Sequence, residues 1–450
     1  MQTTTLFPPA SLAAAQTTRD LIHDSTFCQR HRRHPCDFTR QRQLTFPNMI
    51  TLLLQKSVRS IQLHLHDFFA ALGRESATAG PSAWCEARQK LRHTAFIELN
   101  EKAILAVFYG PATPAAPSPR RWHGWRLVGI DSSLIRLPNS GHLGLTFGWV
   151  DCTNQQGEVG RYPQARLSVL TDVLNRIGLH TLLVPWHRGE RDVAAEQLAA
   201  LHADDLALLD RGYAAYELWA RFLHRQRSFV CRCPTSSFRV VNQLFAENQA
   251  GRSVVAPLRP CAAPAAAIRA AGLPREITLR FVTVRLATGE LEVLATNLLD
   301  EARYPTAEFG PLYYHRWGIE TFYGLLKSRL DLENFTGRSE EAVRQDVFAT
   351  IFLSNLESVL TQPAQAHLQE KSQPCQHRHQ VNRAVSFHAL KARIFDLLLS
   401  DQPLEPVLGR LHELFLANPV ARRPERAGPR RKPSAWRSYH FQRHTRKVVF

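Results

Sequence analysis

Two short apolar runs in this 450-residue chain end in an aspartate: Arg126-Leu127-Val128-Gly129-Ile130-Asp131 and Leu206-Ala207-Leu208-Leu209-Asp210. Runs of this length and character read as buried strands, and the ends of neighbouring parallel strands lie roughly 4.8 Å apart. A third carboxylate, Glu320, falls in a stretch of helical character. A helix packed on the sheet can bring it to the same point. Three carboxylates in one place repel each other and raise each other's pKa. Divalent cations relieve that repulsion, and hard Mg²⁺ prefers oxygen ligands. Two such ions about 3.5–4 Å apart activate a nucleophilic oxygen and stabilise a leaving oxygen in phosphodiester cleavage. Taken singly, each aspartate is more commonly a turn or cap residue.

The helix around Glu320 carries more information. Tyr313, Arg316, Glu320 and Lys327 stand at offsets of 0, 3, 7 and 14. At about 100° per residue they fall within an arc of roughly 60°. One face then presents a phenol, a guanidinium, a carboxylate and an ammonium in a row. The plain alternative is an exposed face whose Arg316–Glu320 pair is worth about 0.2–0.5 kcal/mol. The sharper reading is a phosphate-binding row beside a metal ligand. Arg316 would clamp phosphate bidentately, Lys327 would act as a point charge and Tyr313 would donate a hydrogen bond.

Other elements must position these groups. Residues 1–45 are polar and basic and read as a weakly ordered N-terminal arm. From Phe46 apolar residues recur at helical spacing, and 46–110 reads as a small all-helical domain. Its charged face (Lys56, Arg59, Arg88, Lys90, Arg92) is a possible DNA contact or simply a solvated face. Residues 111–120 form a linker stiffened by prolines. An α/β segment follows at 121–228, with a hairpin through Asn175-Arg176-Ile177-Gly178. A β-rich insertion occupies 229–300, broken by an Ala/Pro-rich stretch at 256–271. The helix bearing Glu320 lies within 301–360, running over about 311–330 from Pro311. Helices at 361–420 and a basic tail at 421–450 complete the chain.

The bulk composition points to a polyanionic partner. Lys and Arg number 56 against 39 Asp and Glu, a net charge of +17. Residues 421–450 hold ten of those cations and one acid, Glu425, so +9 of the +17 sits in the last 30 residues. Such a surplus binds nucleic acid through counterion release. No stretch approaches the roughly 18 apolar residues of a membrane helix, and the N-terminus lacks the pattern of a secretory signal. Eight scattered cysteines fit a reducing cytoplasm. Cys28, His31, His34 and Cys36 are zinc-type residues, but their spacing matches no standard pattern.

Three motifs in order carry a family resemblance. Tyr314-His315-Arg316-Trp317-Gly318-Ile319-Glu320-Thr321, within Tyr313-x2-Arg316-x3-Glu320-x6-Lys327, resembles the signature helix of DDE transposases of bacterial insertion sequences, in the branch called insertion sequence four. Gly129-Ile130-Asp131-Ser132-Ser133 and Leu208-Leu209-Asp210-Arg211-Gly212-Tyr213 are similar to that family around the first two carboxylates. The resemblance implies an α/β fold: an RNase H-like catalytic core interrupted by the β-rich insertion. It implies that Asp131, Asp210 and Glu320 hold two Mg²⁺ ions, for which Mn²⁺ would substitute. Tyr313, Arg316 and Lys327 would grip DNA phosphate. The partners implied are double-stranded DNA, as terminal inverted repeats and target, and a second copy in a homodimeric synaptic complex. The implied location is the bacterial cytoplasm, at the nucleoid. Relatives stack a flipped base on a Trp of the insertion during hairpin formation. No Trp occurs here between Trp219 and Trp317, leaving Phe229, Phe238, Phe245 and Phe281 as substitutes, though core packing is the commoner role. Two competing functions stand beside transposition: a catalytically inactive or repurposed protein that only binds DNA ends, and a nuclease of the same fold that cuts without joining.

Overall fold

A computed structural model describes residues 9–40, 42–56, 60–73, 79–111, 118–153, 157, 159–286 and 288–422. Most of the linker and nearly all of the basic tail lie outside them. The chain forms two compact units. One comprises Met1–Pro119, Arg136–Gln164 and Leu326–Phe450; the other comprises Arg120–Ile135 and Ala165–Leu325.

The first unit is mainly helical. At its centre runs the 32-residue helix Glu340–Lys371, capped by Ser339, whose Oγ accepts from the Ala342 amide at 3.2 Å. Most of its residues from Ala342 to Thr361 are buried, as expected of a helix surrounded by others. Helices Pro9–His23, Phe46–Gln55, Thr94–Leu99 and Leu404–Ala417 pack against it.

The expected weakly ordered arm is instead part of this core. Pro9–His23 and Ser25–His31 are helices that bury Ala14, Ala15, Ile22 and Phe27. Asp24 caps the second by accepting from the Thr26 and Phe27 amides. Arg19 ties the first to the carbonyls of Leu397, Asp396 and Gln402. Alanines make a close-packing face without the large side chains that advertise a core. The zinc-type cluster is committed elsewhere: His31 places its ring nitrogens 2.9 Å from Thr94 Oγ1 and 2.6 Å from Glu98 Oε2.

The charged face expected at 46–110 is partly interior. Arg88 is 5% exposed. Its guanidinium reaches Gln345, Ala342 and Asp346, each at 2.8 Å. Lys56 donates to the carbonyls of Asp331 and Leu332. Both cations are held by partners far along the chain, and Arg88 does not reach solvent. Arg59 lies outside the described residues.

The second unit is built on a mixed sheet. Its strands, with one that pairs in the first unit, are β1 (Arg126–Arg136), β2 (Trp149–Thr153), β3 (Val159–Asp172), β4 (Ile177–Pro185), β5 (Asp205–Leu209), β6 (Ser228–Cys233), β7 (Ser253–Leu258), β8 (Ile277–Arg285) and β9 (Leu291–Thr296). β2 pairs with the first residues of β3, within the first unit. The remaining order is β4-β3-β1-β5-β6-β9-β8-β7. β1, β5 and β6 are mutually parallel, whereas β9, β8 and β7 continue antiparallel. Every residue of β5 is buried, consistent with its unbroken apolar run. A two-pronged ion pair sets the start of the parallel register: Arg126 meets Asp205, its strand partner, at 2.6 and 2.8 Å.

The expected β3–β4 hairpin is present, with its turn closed by Asp172, which accepts from the Leu174 and Asn175 amides at 3.0 Å. Gly178 lies on β4 rather than in the turn; Arg176 takes the left-handed conformation instead, at φ 60. The region 229–300 is less purely β than its composition suggests. Helices Arg239–Glu247 and Ala262–Ala270 lie within it, and its strands extend the central sheet. Phe229 and Phe281 are buried, and Phe238 and Phe245 pack against the same core. Among the described residues no helix is long and apolar enough to cross a membrane.

Candidate active site

The parallel register places two of the three carboxylates. Ile130 pairs with Leu209, and the next residues on the two neighbouring chains are Asp131 and Asp210. Burial pushes the Asp131 carboxyl up to about 6; the Ser132 amide, donating at 2.8 Å, opposes this, while Glu190 and Asp210 add to it. Asp210 Oδ1 is buried and has no hydrogen-bond partner. The two acids thus stand side by side, one with its carboxyl pushed up by burial and the other with a buried oxygen that has no partner.

That has a consequence for stability. A folded-state pKa above the unfolded one means that the charged form disfavours folding once both states have ionised. The penalty is absent below about pH 4, grows through the interval up to about 6, and is complete above it. Asp131→Asn keeps an acceptor for the Ser132 amide and removes the charge. It should stabilise the chain by up to about 3 kcal/mol at pH 8, with the gain vanishing at pH 4. Urea unfolding at the two pH values measures this.

The third carboxylate arrives on the helix Trp317–Gly324. Two buried tyrosines fasten this region to the strand ends. Tyr323, on the same helix as Glu320, donates to the Asp131 carbonyl at 2.8 Å. Tyr313, on the preceding helix Phe309–Tyr314, donates to the Leu209 carbonyl at 3.1 Å. Close packing needs glycine on both surfaces. A Cβ on Gly129 would lie 3.1 Å from Ile319 Cβ, and one on Gly318 would lie 2.9 Å from Val173 Cβ.

The row expected on one straight helix is not so arranged. The helix expected over 311–330 is interrupted at His315 and Arg316, where amide bonds span three residues instead of four. Leu325–Arg329 then widens into a π-helical turn. Both changes alter the angular step on which the 60° arc depends. Tyr313 is 5% exposed, its hydroxyl is engaged with Leu209, and burial raises its pKa. Here its hydroxyl anchors the helix to the chain before Asp210. Arg316 is 3% exposed and donates to Glu320 Oε1 at 2.8 Å. Its Nε is buried without a partner, and the guanidinium lies 4.8 Å from the Trp317 ring centre. Lys327 falls in the π-helical turn, where burial lowers its pKa and Glu333 opposes the change.

Among the described residues no three His, Cys, Asp or Glu side chains already converge as a metal cluster, and Glu320 is turned to Arg316. The donor set still suits a hard divalent cation: the strand-end ligands are carboxylate oxygens, one of them buried and unpaired. Sequence reasoning passed over two neighbours, Glu190 and Arg166, which meet Ser132 beside Asp131. Ser132 and Ser133 lie on β1. Glu190 opens a helix after Gly189, a local signal for a helix start that says nothing about proximity to Asp131.

A family model described as "Transposase DDE domain" matches residues 122–356, a span containing all three carboxylates. Transposase InsG for insertion sequence element IS4, from Escherichia coli (strain K12), is 25% identical over 284 residues, 61% of this chain and 60% of that protein. The protein y4zB of Sinorhizobium fredii (strain NGR234), which also bears a transposase name, is 28% identical over 162 residues, 36% of this chain and 44% of its own length. The matches thus span less than two thirds of either relative. Among solved structures, the piggyBac transposase synaptic complex with hairpin DNA matches with a TM-score of 0.42 and 9% identity, over 91% of this chain and 84% of that chain.

Proposed function

Since this chain belongs to the DDE transposase family and is of the insertion-sequence-four type, we propose that it binds the ends of its element and carries out Mg²⁺-dependent DNA cleavage and strand transfer. The observation that carries the reading is that Asp131, within β1, and Asp210 each follow the last β1–β5 pair, Ile130 with Leu209, with the Glu320 helix fastened beside them through Tyr323. Under it, the sheet from β4 to β6 is an RNase H-like core, and β7, β8 and β9 belong to an insertion before the third acid. A division of the chain into arm, helical domain, linker, core, C-terminal helices and tail is part of this proposal, with the arm helical from Pro9.

Asp131, Asp210 and Glu320 would hold the divalent ions. Bound there, such ions stabilise charge on the attacking and leaving oxygens of a phosphodiester. The protein's own work is positional. Tyr323 fixes the Asp131 backbone, and Tyr313 fixes the chain before Asp210. Arg316 keeps a cation beside the carboxylates, where it can turn a guanidinium nitrogen to a phosphate oxygen. Lys327 would offer a point charge to DNA phosphate. A homodimeric synaptic complex on terminal inverted repeats, in the cytoplasm, completes the proposal.

The test is cleavage of end-labelled DNA that carries the element's termini and flanks, with and without Mg²⁺. Cuts at the element boundary that need the metal support the proposal. Retarded DNA with no cut in any divalent metal would favour a DNA-end-binding protein instead, and cuts without joined products a nuclease. The basic tail has its own readout. Each phosphate that the protein no longer neutralises lowers the slope of log affinity against log salt by about 0.9. Truncation after residue 421 should flatten that slope by several units, and an unaltered slope would remove the tail from DNA binding.

A further inference from the structure

Strand β1, which carries Asp131, and the turn that follows Asp210 are joined by a third element. Glu190 and Arg191 begin the helix Glu190–Gln197. Glu190 Oε1 accepts from Ser132 Oγ at 3.1 Å, and the Ser132 amide donates to Asp131 Oδ1 at 2.8 Å. The neighbouring Arg191 donates from Nε to the Gly212 carbonyl at 2.7 Å, two residues beyond Asp210. One helical turn therefore grips both aspartate-bearing segments.

Arg166 on β3 locks this grip. Its Nη1 lies 2.7 Å from Ser132 Oγ and 2.7 Å from Glu190 Oε1, and its side chain is only 12% exposed. The fourth acid is thus held by a guanidinium and a hydroxyl, neither of which belongs to the catalytic trio. An arrangement of this kind resembles the outer partners that orient metal ligands, whose loss commonly weakens metal binding about 10–100-fold.

We propose that Glu190, locked by Arg166 and assisted by Arg191, is a positioning residue that sets Asp131 and Asp210 at the separation and orientation in which they take a divalent cation together. The proposal rests on the reading of those two aspartates as metal ligands. Glu190 itself touches no substrate in it.

The test is Mn²⁺ binding to the full chain, followed by electron paramagnetic resonance, with urea unfolding and DNA retardation measured in parallel. Wild type should bind Mn²⁺, and Asp131→Asn should remove that binding. Glu190→Gln should weaken it about tenfold, and Arg191→Met, which removes the hydrogen bond to Gly212 together with a positive charge whose loss alone would favour a cation, should weaken it about threefold or more. Both should keep the wild-type unfolding midpoint and DNA affinity. Arg166→Lys, which retains a cation between the two acceptors, should restore most of the affinity that Arg166→Met removes. Affinities within about twofold of wild type in both Glu190→Gln and Arg191→Met would overturn the proposal. So would weakening that merely tracks a fall in the unfolding midpoint. Absence of any Mn²⁺ binding that Asp131→Asn removes would instead overturn the metal-ligand reading beneath it.

Discussion

Glu320→Gln reduces metal-dependent cleavage by about a thousandfold or more, a barrier increase of ~4 kcal/mol, while DNA retardation stays within about twofold of wild type. Glutamine has the shape of glutamate, so its oxygen can still accept from Arg316 Nη2, which lies 2.8 Å from Glu320 Oε1. The helix keeps its anchor because that anchor is Tyr323, three residues on, which the substitution does not touch. What changes is one negative charge. A neutral amide oxygen is a poor ligand for a hard cation, and two aspartates alone leave the third ligand position unfilled. The paired measurement separates the effects: end-labelled DNA reports cleavage, and retardation in a metal-free buffer reports binding. Cleavage at the wild-type rate would remove Glu320 from its proposed role.

Arg88→Ala lowers folding stability by about 3–5 kcal/mol. Its guanidinium faces Asp346, which is 1% exposed, and also holds Gln345 and the Ala342 carbonyl. Truncation leaves the Asp346 charge in the interior hydrogen-bonded to the Thr336 amide and hydroxyl, with the Lys56 ammonium as the nearby cation. That orphaned charge, rather than the missing attraction, dominates the cost. The double variant Arg88→Met/Asp346→Leu should therefore recover most of the stability, a non-additivity that urea unfolding can measure. DNA affinity gives the second readout. A folded Arg88→Met/Asp346→Leu chain should show the wild-type salt slope, because neither group reaches solvent.

Those two residues illustrate what a linear reading can and cannot reach. Asp131 and Asp210 were legible because each closes a local apolar run, and the register of a parallel pair then follows. Glu320 was legible from its motif. The environment of Arg316 was not: spacing marks a helix face, but only packing decides whether the face meets solvent. Arg88 failed for the same reason, since its partners lie more than 250 positions away. Glu190 and Arg166 stand 58 and 34 positions from Ser132, and no periodicity connects residues that a sheet brings together. The break at His315 and the wider turn at Leu325–Arg329 also defeat a calculation made on an ideal helix. The helix at Pro9–His23 escaped notice because alanine buries little area per residue, and Ser25–His31 because seven residues are too few to show a period.

The order of strands in the sheet differs from their order along the chain, and this sets a timetable for the newborn protein. β9 lies between β6 and β8, yet it is made after both β7 and β8. Until residue 296 has been synthesised, β6 keeps an open edge, the kind of surface that recruits foreign strands. Glu320 comes later still. At about 5–20 residues per second, roughly 16–65 s pass before the segment ending at Leu325 is complete. Asp210 precedes Glu320 by 110 residues, so for roughly 5–22 s of that interval the chain carries Asp131 and Asp210 without their third partner. Under the proposed function, a copy that ends before Glu320 would lack the third acid and could not cut DNA, while its open strand edge would favour aggregation.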